Sequence, residues 1–445
     1  MSEKLQSLDV AIPDKAGWPK KTLDELCSLI SRGTAPVYVE SSSVLAIGQR
    51  CVTTSRFAPE FARPHAERAI RNVLRPESGD VLLNSTGTGT IGRSVVFDHD
   101  GAFIVDGHVT VLRPKPEGAD GRWLNALLRT SWGQRHLERF CYAGSTNQLE
   151  LSRTPVTASM LPVPSLAEQH AIAQVLDTLD TAIRETEALI DKLKAVKQGL
   201  LHDLLTRGID TNGQLRPLQS EAPQLYRESP LGWIPREWEL RELGKLAEIS
   251  RGKFTHRPRN DPAFFGGEYP FIQTGDVALA QGGYIYSYSQ TLSKRGISVS
   301  QEFPAGTIAI TIAANIADTA ILACPMFFPD SIVGAVVAPE YNIRFVELSI
   351  RRAKRTLDTR APQSAQKNIN LQDLRPLLLA VPGRIEQDAI AARYDAIQAQ
   401  LEAEQIAVNK LCQKKFGLMD DLLTGRVCVT PLLESIQQAA TPTGA

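Results

Sequence analysis

Apolar side chains recur at alternating steps of four and three residues along two stretches of this chain. From Ile172 the series passes through Leu176, Leu179 and Ile183 to Ile190, Leu193, Leu200 and Leu204. From Ile390 it passes through Tyr394, Ile397 and Leu401 to Val408, Leu411, Leu418 and Leu422. Thr186 and Lys197 fill the polar slots of the first register, Glu404 and Lys415 those of the second. A heptad seam kept over this many turns predicts long, paired helices. About 40 residues at 1.5 Å each make a rod of roughly 60 Å. Pro164 and Pro382 stand just before the rods, where a first turn tolerates proline, and Gly208 follows the first rod where a stop is expected. Gly199 and Gly417 lie inside the rods at one repeat position. Glycine there costs about 1 kcal/mol relative to alanine, and a close approach of backbones is the expected compensation.

Both stretches belong to one passage that is written twice in the chain. Val163-Pro164-Ser165-Leu166-Ala167-Glu168-Gln169 returns as Val381-Pro382-Gly383-Arg384-Ile385-Glu386-Gln387. The match runs without a gap to Asp203-Leu204-Leu205-Thr206 and Asp421-Leu422-Leu423-Thr424. Self-similarity on this scale is architectural and is read before any local motif. Chain order is head, rod, head, rod, so the first rod ends near the second head and the second rod begins there. Rods that pack together in this order are antiparallel, with one head at each end, and act as a ruler. A homodimerising coiled coil is the alternative, but two matched rods in one chain make intramolecular pairing the easier solution. The expected boundaries are head one 1–162, rod one 163–208, linker 209–231, head two 232–380, rod two 381–427 and a C-terminal tail 428–445. The expected fold class is α+β: two globular mixed α/β domains separated by a pair of long antiparallel helices (a coiled coil), related by a pseudo-two-fold repeat.

The heads open alike. Gly17-Trp18-Pro19, Leu23, Leu26 and Ser31-Arg32-Gly33 correspond to Gly232-Trp233-Ile234-Pro235, Leu243, Leu246 and Ser250-Arg251-Gly252. Strand-like runs follow, Gly79 to Asn84 against Gly306 to Thr311, and Ile104-Val105-Asp106 against Phe328-Pro329-Asp330. Helix-like stretches come next, Trp123 to Phe140 and Arg344 to Leu357. Each head closes on a polar loop, Ala143 to Leu149 and Pro362 to Ile369. Amides, hydroxyls and small residues are the groups that read base edges in a DNA groove. A plain surface loop is the competing reading.

Composition narrows the class. At 445 residues and 43% hydrophobic, the chain exceeds one core and suggests two to four domains. No apolar run approaches the roughly 18 residues of a membrane span. The opening Met1-Ser2-Glu3-Lys4-Leu5-Gln6 does not resemble a secretory leader. Six cysteines without a C-x-x-C pair argue against zinc and disulfides and for the reducing cytoplasm. A net charge of zero conceals segregation: residues 1–162 carry 19 basic and 17 acidic side chains and residues 213–380 carry 19 and 16, whereas residues 163–212 carry 5 and 8 and residues 381–445 carry 6 and 8. The heads are basic and the rods acidic, and local clusters around Arg63, Arg251 and Arg351 strengthen a nucleic-acid signal.

Two motifs are decoys. Gly87-Thr88-Gly89-Thr90-Ile91-Gly92 fits G-x-G-x-x-G, but a strand-like run rather than a helix follows it, so it reads as a turn. Asp261-Pro262-Ala263-Phe264 resembles the tetrapeptide of aminomethyltransferases but lacks its second proline. No catalytic constellation emerges, and the 7 histidines are scattered.

Taken together, Leu161-Pro162-Val163-Pro164 with Glu168-Gln169 and Ile172-Ala173, their copies at Ala380-Val381-Pro382, Glu386-Gln387 and Ile390-Ala391, Ser229 to Pro235 with Trp238, and Tyr269 to Asp276 form a recognisable pattern. It resembles the DNA-specificity subunit of type I restriction–modification systems over nearly the whole chain. The resemblance implies two target-recognition domains, each reading half of a bipartite site in double-stranded DNA. It implies that the helices set the spacing and bind two modification (methyltransferase) subunits. S-adenosylmethionine, ATP and Mg then belong to partner subunits and no cofactor or metal to this chain, with restriction subunits, where present, adding translocation and cleavage. Arg32, Arg251 and Lys253 are the expected anchors for phosphates or guanines. Asn147, Gln148, Gln366, Lys367 and Asn368 are the expected base readers, and Thr86, Thr88, Thr274 and Asn315 complete the candidate DNA contacts. A coiled-coil scaffold and a stand-alone DNA methyltransferase or nuclease are the rival readings.

Overall fold

The computed structural model describes residues 13–69, 73–144, 148–313, 316–360 and 369–429. It divides into two compact units, one of residues 1–188 with 406–445 and one of residues 189–405. Four principal helices organise them: α1 (Gly121–Arg129), α2 (Leu166–Thr206), α3 (Ile343–Arg360) and α4 (Arg384–Leu423). The fold is mixed α and β, with two repeated domains and long helices α2 and α4 of 41 and 40 residues.

In unit one the central sheet orders its strands Cys27–Arg32, Val109–Pro114, Val81–Asn84, Ser94–Val96, all antiparallel neighbours. Unit two repeats that order as Ala247–Arg251, Ile332–Val337, Ile308–Thr311, Thr319–Leu322 and adds Tyr284–Ile285 at the edge. The middle strands Val81–Asn84 and Ile308–Thr311 are buried along their whole length, as the apolar runs Val81-Leu82-Leu83 and Ile308-Ala309-Ile310 demand, each closing on one buried polar residue. A second, smaller sheet accompanies each, built around the parallel pairs Val44–Ile47 with Ala102–Val105 and Phe265–Phe271 with Met326–Phe327.

Each domain has a neck where its chain enters and leaves side by side. Lys20–Thr22 pairs antiparallel with Met160–Pro162, and Glu239–Glu242 with Leu378–Val381. Immediately beyond the neck the repeated glutamine performs one task twice. Gln169 accepts the Asp120 N–H at 2.9 Å and donates to the Pro164 carbonyl at 3.0 Å. Gln387 accepts the Asn342 N–H at 2.9 Å and donates to the Pro382 carbonyl at 2.9 Å. Asp120 caps the start of α1, accepting the Arg122 N–H at 2.7 Å, and Asn342 accepts the Phe345 N–H at 3.0 Å at the start of α3. Both glutamines are almost fully buried, so each clamp satisfies groups that water cannot reach.

The neighbouring glutamate has diverged. Glu168 only caps its own helix, taking the Ser165 N–H at 3.0 Å and hydroxyl at 2.8 Å. Glu386 instead receives both Arg216 amino groups, the Ile209 N–H at 2.8 Å and the Trp238 indole N–H at 3.2 Å. The stretch read as a linker is therefore packed, with Tyr226 buried and its hydroxyl donating to the Pro217 carbonyl at 2.5 Å.

Every seam position is buried or half-buried: Ile172, Leu179, Ile183, Ile190, Leu193, Leu200 and Leu204 on α2, and Ile390, Ile397, Leu401, Val408, Leu411, Leu418 and Leu422 on α4. Within unit one, Ile172 and Leu176 share a core with Leu422 and Leu423. Within unit two, Ile390 and Tyr394 share a core with Leu204 and Leu205. The seam lysines reach across at twin positions, Lys415 to the Asp180 carboxylate and Lys197 to the Gln398 amide.

Two expectations are corrected. Gly199 and Gly417 mediate no close approach, since a Cβ on either would meet nothing within 4 Å. The seam rather than intrinsic propensity carries such long helices, so an unfavourable residue on another face survives. The helix expected from Trp123 to Phe140 is broken at Thr130, whose extended backbone ends α1 and whose hydroxyl accepts the Gly133 N–H at 3.0 Å to start a new turn. Its counterpart α3 runs unbroken.

Candidate nucleic-acid interface

In unit one, three of the expected contacts gather on one groove of about 780 Å³. Arg32 ends the first strand of the sheet, Thr86 follows the buried central strand, and Gln148 comes from the closing loop. An isolated bridge from Thr86 to Glu150 brings that loop against the sheet. Arg32 is held by the Glu150 carboxylate at 3.0 Å and the Leu151 carbonyl at 2.8 Å. Thr86 Oγ1 contacts His108 Nδ1 at 2.9 Å and accepts from the Gln49 amide. Gln148 is exposed, as is Thr88 at the tip of the adjoining turn. The groove thus presents a guanidinium, an imidazole, hydroxyls and an amide, the groups able to discriminate base edges.

His108, Gln49 and Arg153 belong to this constellation and were missed from the sequence. His108 lies in a turn between two apolar strands, and that placement was the available signal. Beside it Tyr38 donates to Asp106 at 3.0 Å, and the Arg63 guanidinium lies 3.6 Å from the Tyr38 ring centroid. Burial, then the Asp106 hydrogen bond, pushes the Tyr38 phenol above its ordinary pKa. Arg50 covers Phe61 in the same manner at 4.7 Å.

The repeated Ser-Arg-Gly explains itself at the strand end. A Cβ on Gly33 would lie 1.9 Å from the Val105 carbonyl oxygen, and one on Gly252 2.3 Å from that of Pro329. Only glycine lets the chains cross there and leave the preceding arginine at the rim. In unit two Arg251 and Lys253 are both exposed on either side of Gly252. Thr274 opens the helix Thr274–Ala280, which Asp276 caps by accepting the Gln273 N–H at 2.7 Å. Asn147, Asn315, Gln366, Lys367 and Asn368 lie outside the described residues.

The basic clusters divide on inspection. Around Arg351 the charges serve the fold: Arg351 pairs with buried Glu347 at 2.8 Å, Arg352 donates to the Leu205 carbonyl, and Lys354 pairs with Asp318. These three side chains are tied to the fold, and Arg355 of the same cluster is exposed. Around Arg251, Arg259 grips Asp330 through two 2.8 Å contacts and Arg257 donates to the Phe254 carbonyl at 2.9 Å.

Both decoys are structural. The glycine-rich loop turns between Val81–Asn84 and Ser94–Val96, with Gly92 at φ 83° donating to the Asn84 carbonyl. Its counterpart Ala317, at φ 58°, donates likewise to Thr311. Asp261 accepts the Ala263 N–H at 3.0 Å and pairs with His256 at 3.2 Å, while the His256 ring stacks on Phe264. Among the described residues no cluster of three His, Cys, Asp or Glu side chains could hold a metal ion, and no helix is long and apolar enough to cross a membrane.

A domain built twice, each copy clamped to a long helix by the same glutamine, with polar side chains gathered on a groove of the first, is the fold of a duplicated recognition-module class. The chain belongs to the type I restriction modification DNA specificity domain family, whose model matches residues 16–195 and 235–410. It is 25% identical over 356 residues to the protein of Methanocaldococcus jannaschii assigned as the putative type I restriction enzyme MjaX specificity subunit, covering 79% of each chain. Its fold is similar to that of the type I restriction–modification S subunit from M. genitalium, with a TM-score of 0.56 and 14% identity over 93% of this chain and 98% of that one. A chain from a solved structure concerned with assembly and conformational transition of the type I system matches at TM-score 0.56 and 16% identity, over 93% of this chain and 99% of that one. Recognition of DNA for a type I restriction–modification system is the function of this protein, and specificity subunits of this family are non-catalytic.

Proposed function

We propose that each domain reads one half of a bipartite, asymmetric site in double-stranded DNA, and that α2 and α4 form an antiparallel coiled coil that sets the spacing between the halves. The same helices would bind two methyltransferase subunits in the cytoplasm. S-adenosylmethionine chemistry, and the ATP and Mg of any restriction subunits, would lie in those partners. The observation that carries the reading is the twin packing at the rod ends. In each unit the start of one long helix meets the end of the other, with a seam lysine at the same position of the repeat reaching across. A polar residue inside an apolar seam fixes register at some cost in stability, which a spacing device requires. In unit one, Arg32, Thr86, Thr88, His108 and Gln148 would supply the contacts, and in unit two Arg251, Lys253 and Thr274.

The test is a chimera in which residues 17–160 are replaced by the corresponding domain of a relative, with modified sites mapped by sequencing. One half of the recognised site should change while the other half and the spacer stay fixed. Alteration of both halves would refute the division of labour.

A further inference from the structure

The internal repeat copies a cleft as well as a fold. In unit one a hollow of about 490 Å³ lies where α1 meets the long helices, lined by Arg122, Arg129, Asp177 and Lys415 among others. Unit two has two adjoining hollows of about 660 Å³ each, sharing Lys197, Arg351 and Tyr394. The linings correspond position by position. Arg122 and Arg129 on α1 match Arg344 and Arg351 on α3, and in the register of the rods Asp177 and Lys415 match Asp395 and Lys197. The ion pair is kept in both copies, Arg122 to Asp177 at 3.3 Å and Arg344 to Asp395 at 2.7 Å.

Divergence elsewhere makes this retention informative. When residues 121–130 are set against 343–352, only two of the ten positions are identical, and both are these arginines. A corner needed only for packing would be filled with aliphatic side chains, because charges drawn from water cost free energy unless fully paired. Yet with the carboxylates behind each lining counted, Glu60 and Asp120 in unit one and Glu347 in unit two, Arg129 and Arg184 in the first and Lys197 in the second still meet only neutral partners among the described residues. Each cleft also holds a buried polar atom without a protein partner, Asn125 Oδ1 in one and Arg351 Nε in the other. Cationic groups without a carboxylate partner match an acidic segment, and a socket present twice in one chain matches a partner present twice.

We propose that the twin clefts are docking sockets for acidic segments of a protein partner bound in two copies, one per unit. The proposal rests on the reading above, in which the modification subunit is that partner. The full-length chain is titrated with the modification subunit of its own system, and the bound copies are counted by native mass spectrometry. Arg129→Glu should weaken one of two sites by at least about tenfold, leaving one copy bound, and Lys194→Glu on the other cleft should do the same. Their combination should abolish assembly, and Arg129→Lys should restore two copies. Arg184→Glu, on the exposed lip of the first cleft, repeats the test without touching a half-buried residue. Two copies bound to the double variant with unchanged affinity would overturn the proposal. So would normal assembly with a salt-dependent loss of DNA affinity, which would make the clefts phosphate contacts. An unaltered chain that binds no modification subunit would instead overturn the partner reading itself, and the sockets with it.

Discussion

Replacing Glu386 with alanine removes the acceptor for four hydrogen bonds, and the same change at Glu168, its twin in the repeat, removes only a helix cap. The Arg216 and Glu386 side chains are 10% and 14% exposed, so the pair is nearly withdrawn from water. Deleting one member of a buried pair costs about 3–5 kcal/mol when it leaves an uncompensated charge, and here Arg216 would keep only the largely exposed Glu237, at 3.3 Å. The residual exposure places this site at the lower end, about 3 kcal/mol, equivalent to a factor on the order of a hundred in a local opening equilibrium. Loss of the Ser165–Glu168 capping box should cost only about 1 kcal/mol. Hydrogen exchange read by mass spectrometry on the intact chain separates the two, because it reports opening segment by segment rather than one global transition. Glu386→Ala should deprotect the segment from Arg207 to Arg216 and the backbone around Trp238. Glu168→Ala should affect only the first turn of α2. Equal losses at the two sites, within about 0.5 kcal/mol, would show that the Arg216 network contributes no more than a cap.

Two further outcomes follow from buried chemistry. Burial pushes the His136 imidazole down to about 4, with Ser159 as its hydroxyl partner at 2.8 Å. The folded pKa lies below the unfolded one, so the unfolded chain takes up the proton first and stability is lost as pH falls from 6.5 toward 4, by up to about 3 kcal/mol. Urea midpoints across that window should fall for the wild type, and His136→Gln should flatten the slope; an equal slope in both would refute the assignment. Gly199→Ala and Gly417→Ala should each stabilise the chain by about 1 kcal/mol, since a Cβ at either site meets nothing within 4 Å. A lower thermal midpoint in either variant would contradict open space at these positions.

The rods were legible because a heptad period repeats its signal over some forty residues, and a single substitution such as Thr186 or Lys197 does not erase it. The repeated strand order was foreshadowed by paired apolar runs such as Val81 to Asn84 and Ile308 to Thr311. The work of Gln169 and Gln387 was not legible, because their partners Asp120 and Asn342 lie 49 and 45 residues away in sequence and are met only after folding. Glycine misled for a related reason: Gly199 reports a tolerated side chain, not a neighbour. Of the side chains on the groove of unit one, Arg32 was visible through the repeated Ser-Arg-Gly, whereas His108 was not, because one histidine in a turn carries no spacing pattern. The basic residues around Arg351 show a related limit, since charge along a helix says nothing of which carboxylate waits across the fold.

The neck of each domain carries a consequence for inheritance. Antiparallel neighbours in a sheet stand about 4.8 Å apart, so the strands Lys20–Thr22 and Met160–Pro162 deliver the chain back almost to where it left. Glu239–Glu242 and Leu378–Val381 do the same. Everything between such a pair is an excursion tied to the long helices of its own unit through a short ladder, a buried glutamine and the packing of α1 or α3. On the division of labour proposed above, a gene exchange that respects those two short strands would import a foreign domain whole, and new DNA sites would be acquired by splicing at the necks rather than by slow change of single residues.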